Sequence, residues 1–167
     1  ELWAHDTSNS STWQVADINS GAYSSFAVYY EKNRAILVGD TLYFSAGDGS
    51  SGRELWAHDT SNSSTWQVAD IRSGTYSSDP GQYMKILVGD TLYFSAHNGS
   101  SGHELWAHDT SNSSTWQVAD INSGGSSSFP GRDMAILVGD TLYFNARDAS
   151  SGHELWAMDI EHSIIYD

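Results

Sequence analysis

ELWAHDTSNSSTWQVADI, residues 1–18, recurs without a change at 54–71 and again at 104–121. ELWA opens at Glu1, Glu54, Glu104 and Glu154, so the period is 53 residues and then 50 twice. Between copies stand a variable Ser/Gly-rich stretch and then ILVGDTLYF, whose Gly-Asp pairs fall at Gly39-Asp40, Gly89-Asp90 and Gly139-Asp140. A fixed period of this size marks a repeat architecture in which each copy is one supersecondary unit.

Within a copy, ILVGDTLYF reads as two short strands around a tight turn. Gly39, Gly89 and Gly139 supply the positive φ that the first position of a type II′ hairpin requires. ELWAHD and TWQVADI are two more strands, rich in Trp, Val and Ile, joined by the polar turn formers TSNSS. No window carries apolar residues at helical spacing. Four strands in about 50 residues is the spacing of β-propeller blades. Only the stretches at 72–85 and 122–135 are long enough to cross between neighbouring sheets. Residues 1–18 are then half a blade, and blades follow at about 35–71, 86–121 and 136–167 of a single repeat domain. Leu, Trp and Ala together in ELWA, and Ile, Leu and Val together in ILV, predict sheets covered on both faces. The expected fold is all-β, about three and a half four-stranded antiparallel propeller blades. Trp3, Trp56, Trp106 and Trp156 are expected to pack between neighbouring blades.

Composition narrows the function. Lys and Arg total 7 against 21 Asp and Glu, a formal charge of −14 in 167 residues. Such a surface lacks the cations that nucleic acids need over their phosphates. With no cysteine, disulfides and thiolate metal sites are excluded. No apolar run approaches the length of a membrane span. Residue 1 is Glu and falls inside a repeat, so a natural start upstream of it is expected.

The repeat resembles the ELWxxDGT family, which joins LYFxAxDGxxGxELW to a following VxDIxxG. The matching stretches are LYFSAGDGSSGRELW (42–56), LYFSAHNGSSGHELW (92–106) and LYFNARDASSGHELW (142–156), followed by VADINSG (15–21 and 118–124) and VADIRSG (68–74). AHDTSNSST stands here where that family has a shorter DGT turn. The resemblance implies a secreted or cell-surface propeller of a family generally without an assigned enzymatic activity. DTSNSSTW also resembles a stretched Asp-box, the turn of sialidase propellers. By that likeness and by the general habit of turn aspartates, Asp6, Asp59 and Asp109 are expected to cap their hairpins through backbone N–H groups.

Catalysis has little to draw on. Arg34, Arg53, Arg72, Arg132 and Arg147 do not form a recurring set that would converge on a carboxylate, and no catalytic residue is assigned. His5, His58 and His108 share one position, as do Glu1, Glu54, Glu104 and Glu154; in a ring either set would circle the axis and line a channel or hold a cation. Calcium is the cation in question, but each of the loops 47–52, 97–102 and 147–152 offers one acidic or amide side chain where calcium takes six to eight oxygens. No cofactor or metal site is therefore assigned, and calcium stays open as the one alternative. Asn9, Asn62 and Asn112 open Asn-Ser-Ser and Asn98 opens Asn-Gly-Ser, candidate glycosylation sites in loops expected to be exposed.

Two function classes follow: a structural or adhesive scaffold or assembly unit, and a carbohydrate-binding propeller with Tyr23 and Tyr76 as aromatic platforms where the third copy has Ser126. A glycoside hydrolase would rest on fold analogy alone. Three and a half blades do not close a ring. An open blade face of roughly 500 Å² left in water forfeits about 12 kcal/mol, on the scale of a whole domain's stability. Association into an oligomer or filament, or further blades of the same chain, is expected. The divergent end DIEHSIIYD (159–167) reads as a terminus or junction.

Overall fold

The computed structural model describes residues 1–21, 23–25, 35–160 and 164–166. Arg34 and part of the divergent end, 161–163 and 167, lie outside the described residues. Every regular element among those described is a strand. The chain divides into two compact units, 1–78 and 79–167.

The first unit holds β1 (Leu2–Asp6) and β2 (Ser11–Ala16), an antiparallel pair, and the sheet β3 (Ile36–Val38), β4 (Thr41–Gly47), β5 (Arg53–Asp59) and β6 (Ser64–Ala69), ordered as in the chain. The second unit holds two such meanders. One is β7 (Lys85–Val88), β8 (Thr91–His97), β9 (His103–Asp109) and β10 (Ser114–Ala119); the other is β11 (Ala135–Val138), β12 (Thr141–Asp148), β13 (Gly152–Asp159) and β14 (Ile164–Tyr166). These small antiparallel sheets resemble propeller-like blades.

The tight hairpins follow from glycine. Val38 pairs with Thr41, Val88 with Thr91 and Val138 with Thr141, leaving two-residue turns in which Gly39, Gly89 and Gly139 have φ of 57°, 56° and 60°. Between β5 and β6 the register shifts at Leu55/Trp56, so that Leu55 faces Ala69 and Trp56 faces Gln67 with Val68 as the extra residue of a bulge. A bulge sharpens the local twist of the strand that carries it.

The central strands are buried on both faces, as Leu92–Ala96 of β8 are without interruption. In the first unit Phe44, Ala46, Leu55 and Ala57 are buried. In the second, Met84, Tyr93, Leu105 and Ala107 pack with Leu142, Phe144, Ala146, Trp156 and Met158 in one apolar core. Trp156 thus lies in a core shared by two sheets. Trp3 does not: it is 59% exposed, a correction to the expected packing. The reason is pairing. Trp56 and Trp106 stand opposite Phe44 and Phe94, whereas β1 pairs with β2 alone among the described strands.

Candidate functional site

The recurring glutamate is a clip. Glu54 and Glu104, on the central strands β5 and β9, are fully buried. Glu54 accepts bonds from Ile71 N at 2.8 Å, Ser78 N at 3.0 Å and Ser78 Oγ at 2.6 Å. Glu104 repeats the set with Ile121 N at 2.8 Å, Ser128 N at 2.8 Å and Ser128 Oγ at 2.7 Å. Each carboxylate holds the crossover segment that leaves its own sheet. Burial pushes Glu54 up to about 7 against these bonds, and raises Glu104 too. Glu1 accepts from Ile18 N at 2.5 Å, and Glu154 is exposed. A cation-holding ring of these carboxylates is not what Glu54 and Glu104 form. The signal for the clip is the pairing of each glutamate with a serine 24 residues on, Glu54 with Ser78 and Glu104 with Ser128.

The histidines are committed in the same way. Nδ1 of His5, His58 and His108 lies 2.7, 2.8 and 2.8 Å from Oγ1 of Thr12, Thr65 and Thr115 on the neighbouring strand. His58 and His108 are buried, which removes them from any open channel, and burial lowers the pKa of His108. In the last sheet Met158 takes the histidine's place and Ile165 stands opposite it.

Asp6, Asp59 and Asp109 each accept Ser N two residues on, at 2.8 Å, together with that serine's hydroxyl and an Asn Nδ2. Bonds from the serine side chain and backbone hold all three carboxyls below the ordinary aspartate value. The aspartate partners are Asn9, Asn62 and Asn112, which are exposed and accept at Oδ1 from Ser11 N, Ser64 N and Ser114 N at 2.9 Å. Asn98 differs from the expected exposed acceptor. It is half-buried, its Oδ1 caps Ser100 N and Ser101 N at 2.9 Å, and its Nδ2 donates to Gln117 Oε1 at 3.1 Å. It fills the turn-capping position held by Asp48 in the first unit.

Among the described residues no group of three or more His, Asp or Glu side chains is placed to hold a metal ion. No helix there is long and apolar enough to cross a membrane. Two cavities lie in the first unit. A cavity of about 410 Å³ is lined by Asn19, Ser20, Tyr23, Asp48, Gly49 and Ser50. An adjoining one of about 240 Å³ shares Asn19 and Gly49 and reaches Ser25, Arg53 and Ser77. Tyr23 is 76% exposed. Tyr76 is exposed as well, but the Arg72 guanidinium stands over its ring at 4.8 Å.

No family model matches this chain, and no curated protein matches it. In fold it is similar to TolB from Acinetobacter baumannii, with a TM-score of 0.52 over 98% of this chain. The two are 19% identical and the match spans 36% of the TolB chain, so the likeness is one of fold. It agrees with the propeller-like blades and leaves the ELWxxDGT resemblance without support from a family match.

Proposed function

We propose that this chain is a non-enzymatic scaffold of propeller-like blades, serving outside the cell or at its surface as a structural or adhesive assembly unit. The observation that carries the reading is the use made of its ionisable side chains. Glu54 and Glu104 clip crossover segments, the turn aspartates cap hairpins, and His58 and His108 bond across strands. Groups bonded to their own backbone in this way are held for architecture, whereas catalytic groups converge on a site where a substrate fits. The ELWxxDGT resemblance and the exposed sequons at Asn9, Asn62 and Asn112 favour a surface or secreted setting. The edge of β1, which pairs with β2 alone among the described strands, favours assembly, since an open strand edge is a template for another strand. Ring closure by further copies, or by further blades, is the form of assembly proposed.

Light scattering on the purified chain tests the assembly. The expected result is a mass that is a multiple of the monomer's or grows with concentration. A cooperatively folded monomer at micromolar concentration overturns it. Glycosidase activity on chromogenic substrates would overturn the non-enzymatic reading separately.

A further inference from the structure

We propose that the cleft between the first crossover segment and the turn following β4 binds a neutral hexopyranose unit of a glycan, and that Tyr23 is its platform. This goes beyond the scaffold reading and stands without it. The cleft's volume, about 410 Å³, falls in the range of small-molecule sites. Its lining joins one exposed aromatic ring, Tyr23, to the Asn19 amide and the Asp48 carboxylate over small Ser and Gly residues. A pyranose matches that set: its C–H face lies on an aromatic ring while its hydroxyls both donate and accept.

The carboxylate is available as an acceptor. Burial raises the pKa of Asp48, but bonds from Ser51 and Ser50 outweigh it and hold the group at about 2, ionised throughout the working range. Oδ1 takes three of those bonds and Oδ2 only one, from Ser50 Oγ at 2.8 Å, so a lone pair remains on Oδ2 for a sugar hydroxyl. Gly49 brings turn and crossover together: with φ +86°, a Cβ there would stand 2.7 Å from Asn19 Oδ1. A second, independent observation points the same way. Ser25 is 1% exposed, its hydroxyl has no hydrogen-bond partner among the described residues, and it lines the adjoining cavity. Its counterparts Ser78 and Ser128 spend theirs on Glu54 and Glu104. A buried hydroxyl without a partner costs free energy that a bound polar group would offset. The chain's charge of −14 opposes sulfated or carboxylated glycans.

The other copies are natural controls. Where Asn19 and Tyr23 stand, the second crossover has Arg72 and Tyr76, with the guanidinium over the ring. The third has Ser126 for the tyrosine, and Ala149 replaces Gly49 in the turn. Only the first crossover pairs an uncovered ring with an amide and a carboxylate.

Saturation-transfer NMR and calorimetry on the full chain test this, with maltotriose, cellotriose, mannotriose and chitotriose as probes. At least one is expected to bind saturably at millimolar concentration. Tyr23→Ala should weaken that probe about tenfold. Asn19→Arg, which copies the second crossover, should weaken it as much, and Tyr76→Ala should leave it unchanged. Thermal midpoints near the wild-type value establish that the variants fold. Failure of all four probes overturns the proposal, and so does a loss on Tyr76→Ala equal to that on Tyr23→Ala.

Discussion

Gly89 and Gly102 both have positive φ, yet they answer to different constraints. A Cβ on Gly89 would meet nothing within 4 Å, while one on Gly102 would stand 2.7 Å from the Ser126 backbone. Gly89→Val therefore reads the left-handed penalty alone, about 1–2 kcal/mol, and Gly102→Ala adds a clash that a backbone must move to relieve. Denaturant midpoints should rank Gly102→Ala as the more damaging; the reverse order would contradict the close approach. Ser63 and Ser113 occupy the same region at φ 61° in their four-residue turns. Ser113→Gly should raise stability by about 0.5 kcal/mol, the relief of strain less the greater chain entropy of glycine. The tight-turn glycines were legible because a two-residue hairpin leaves no alternative. The serine positions were not, since nothing in TSNSST marks which residue turns left-handed.

At the scale of the element, the clip between strand and crossover carries a pH dependence. Glu54 has an unfolded value of 4.5 and a folded value raised to about 7 by burial. The folded chain holds that proton more tightly than the unfolded one. Its contribution is therefore in full force below pH 4.5 and is lost as pH rises through 7. His108, lowered by burial, acts in the opposite sense, with stability present above its unfolded value and lost as pH falls, so the total curve mixes the two. Comparison with Glu54→Gln isolates the clip. The stability advantage of wild type over Glu54→Gln should shrink between pH 4.5 and 7 and stay level above, as followed by urea unfolding. A pH-independent difference would mean that burial does not disfavour the charged form. The strand pairs make a second test. His108 faces Thr115, and Met158 faces Ile165, so the polar partners are replaced together in the last sheet. His108→Met alone leaves a threonine hydroxyl without its bond. Adding Thr115→Ile should recover on the order of 1 kcal/mol of coupling in a double-mutant cycle. Strands and their order could be read from turn chemistry and connection length. The clip escaped notice because its halves lie 24 residues apart and a buried carboxylate runs against the usual rule for charge.

Across the whole molecule one sequence sits in three settings, which separates what residues dictate from what surroundings add. ELWAHDTSNSSTWQVADI makes the same hairpin each time, with Ala4, Ala57 and Ala107 opposite Trp13, Trp66 and Trp116. Local chemistry is enough for that. Burial is not carried by the sequence: Leu55 and Leu105 are 2% and 0% exposed where Leu2 is half-buried, and Trp3 is 59% exposed where Trp56 and Trp106 are half-buried. What differs is the neighbour, since β5 and β9 are flanked by β4 and β8, and β1 has β2 alone among the described strands. A two-stranded ribbon by itself is marginal in water, so its amides should open at low cost. In amide exchange followed by NMR, where the identical segments have separate resonances, Leu55–His58 and Leu105–His108 should exchange at least about a hundredfold more slowly than Leu2–His5. Equal protection at high dilution would contradict an open edge on β1. Protection of Leu2–His5 that grows with protein concentration, with the other two segments unchanged, is the result expected if that edge pairs with another chain.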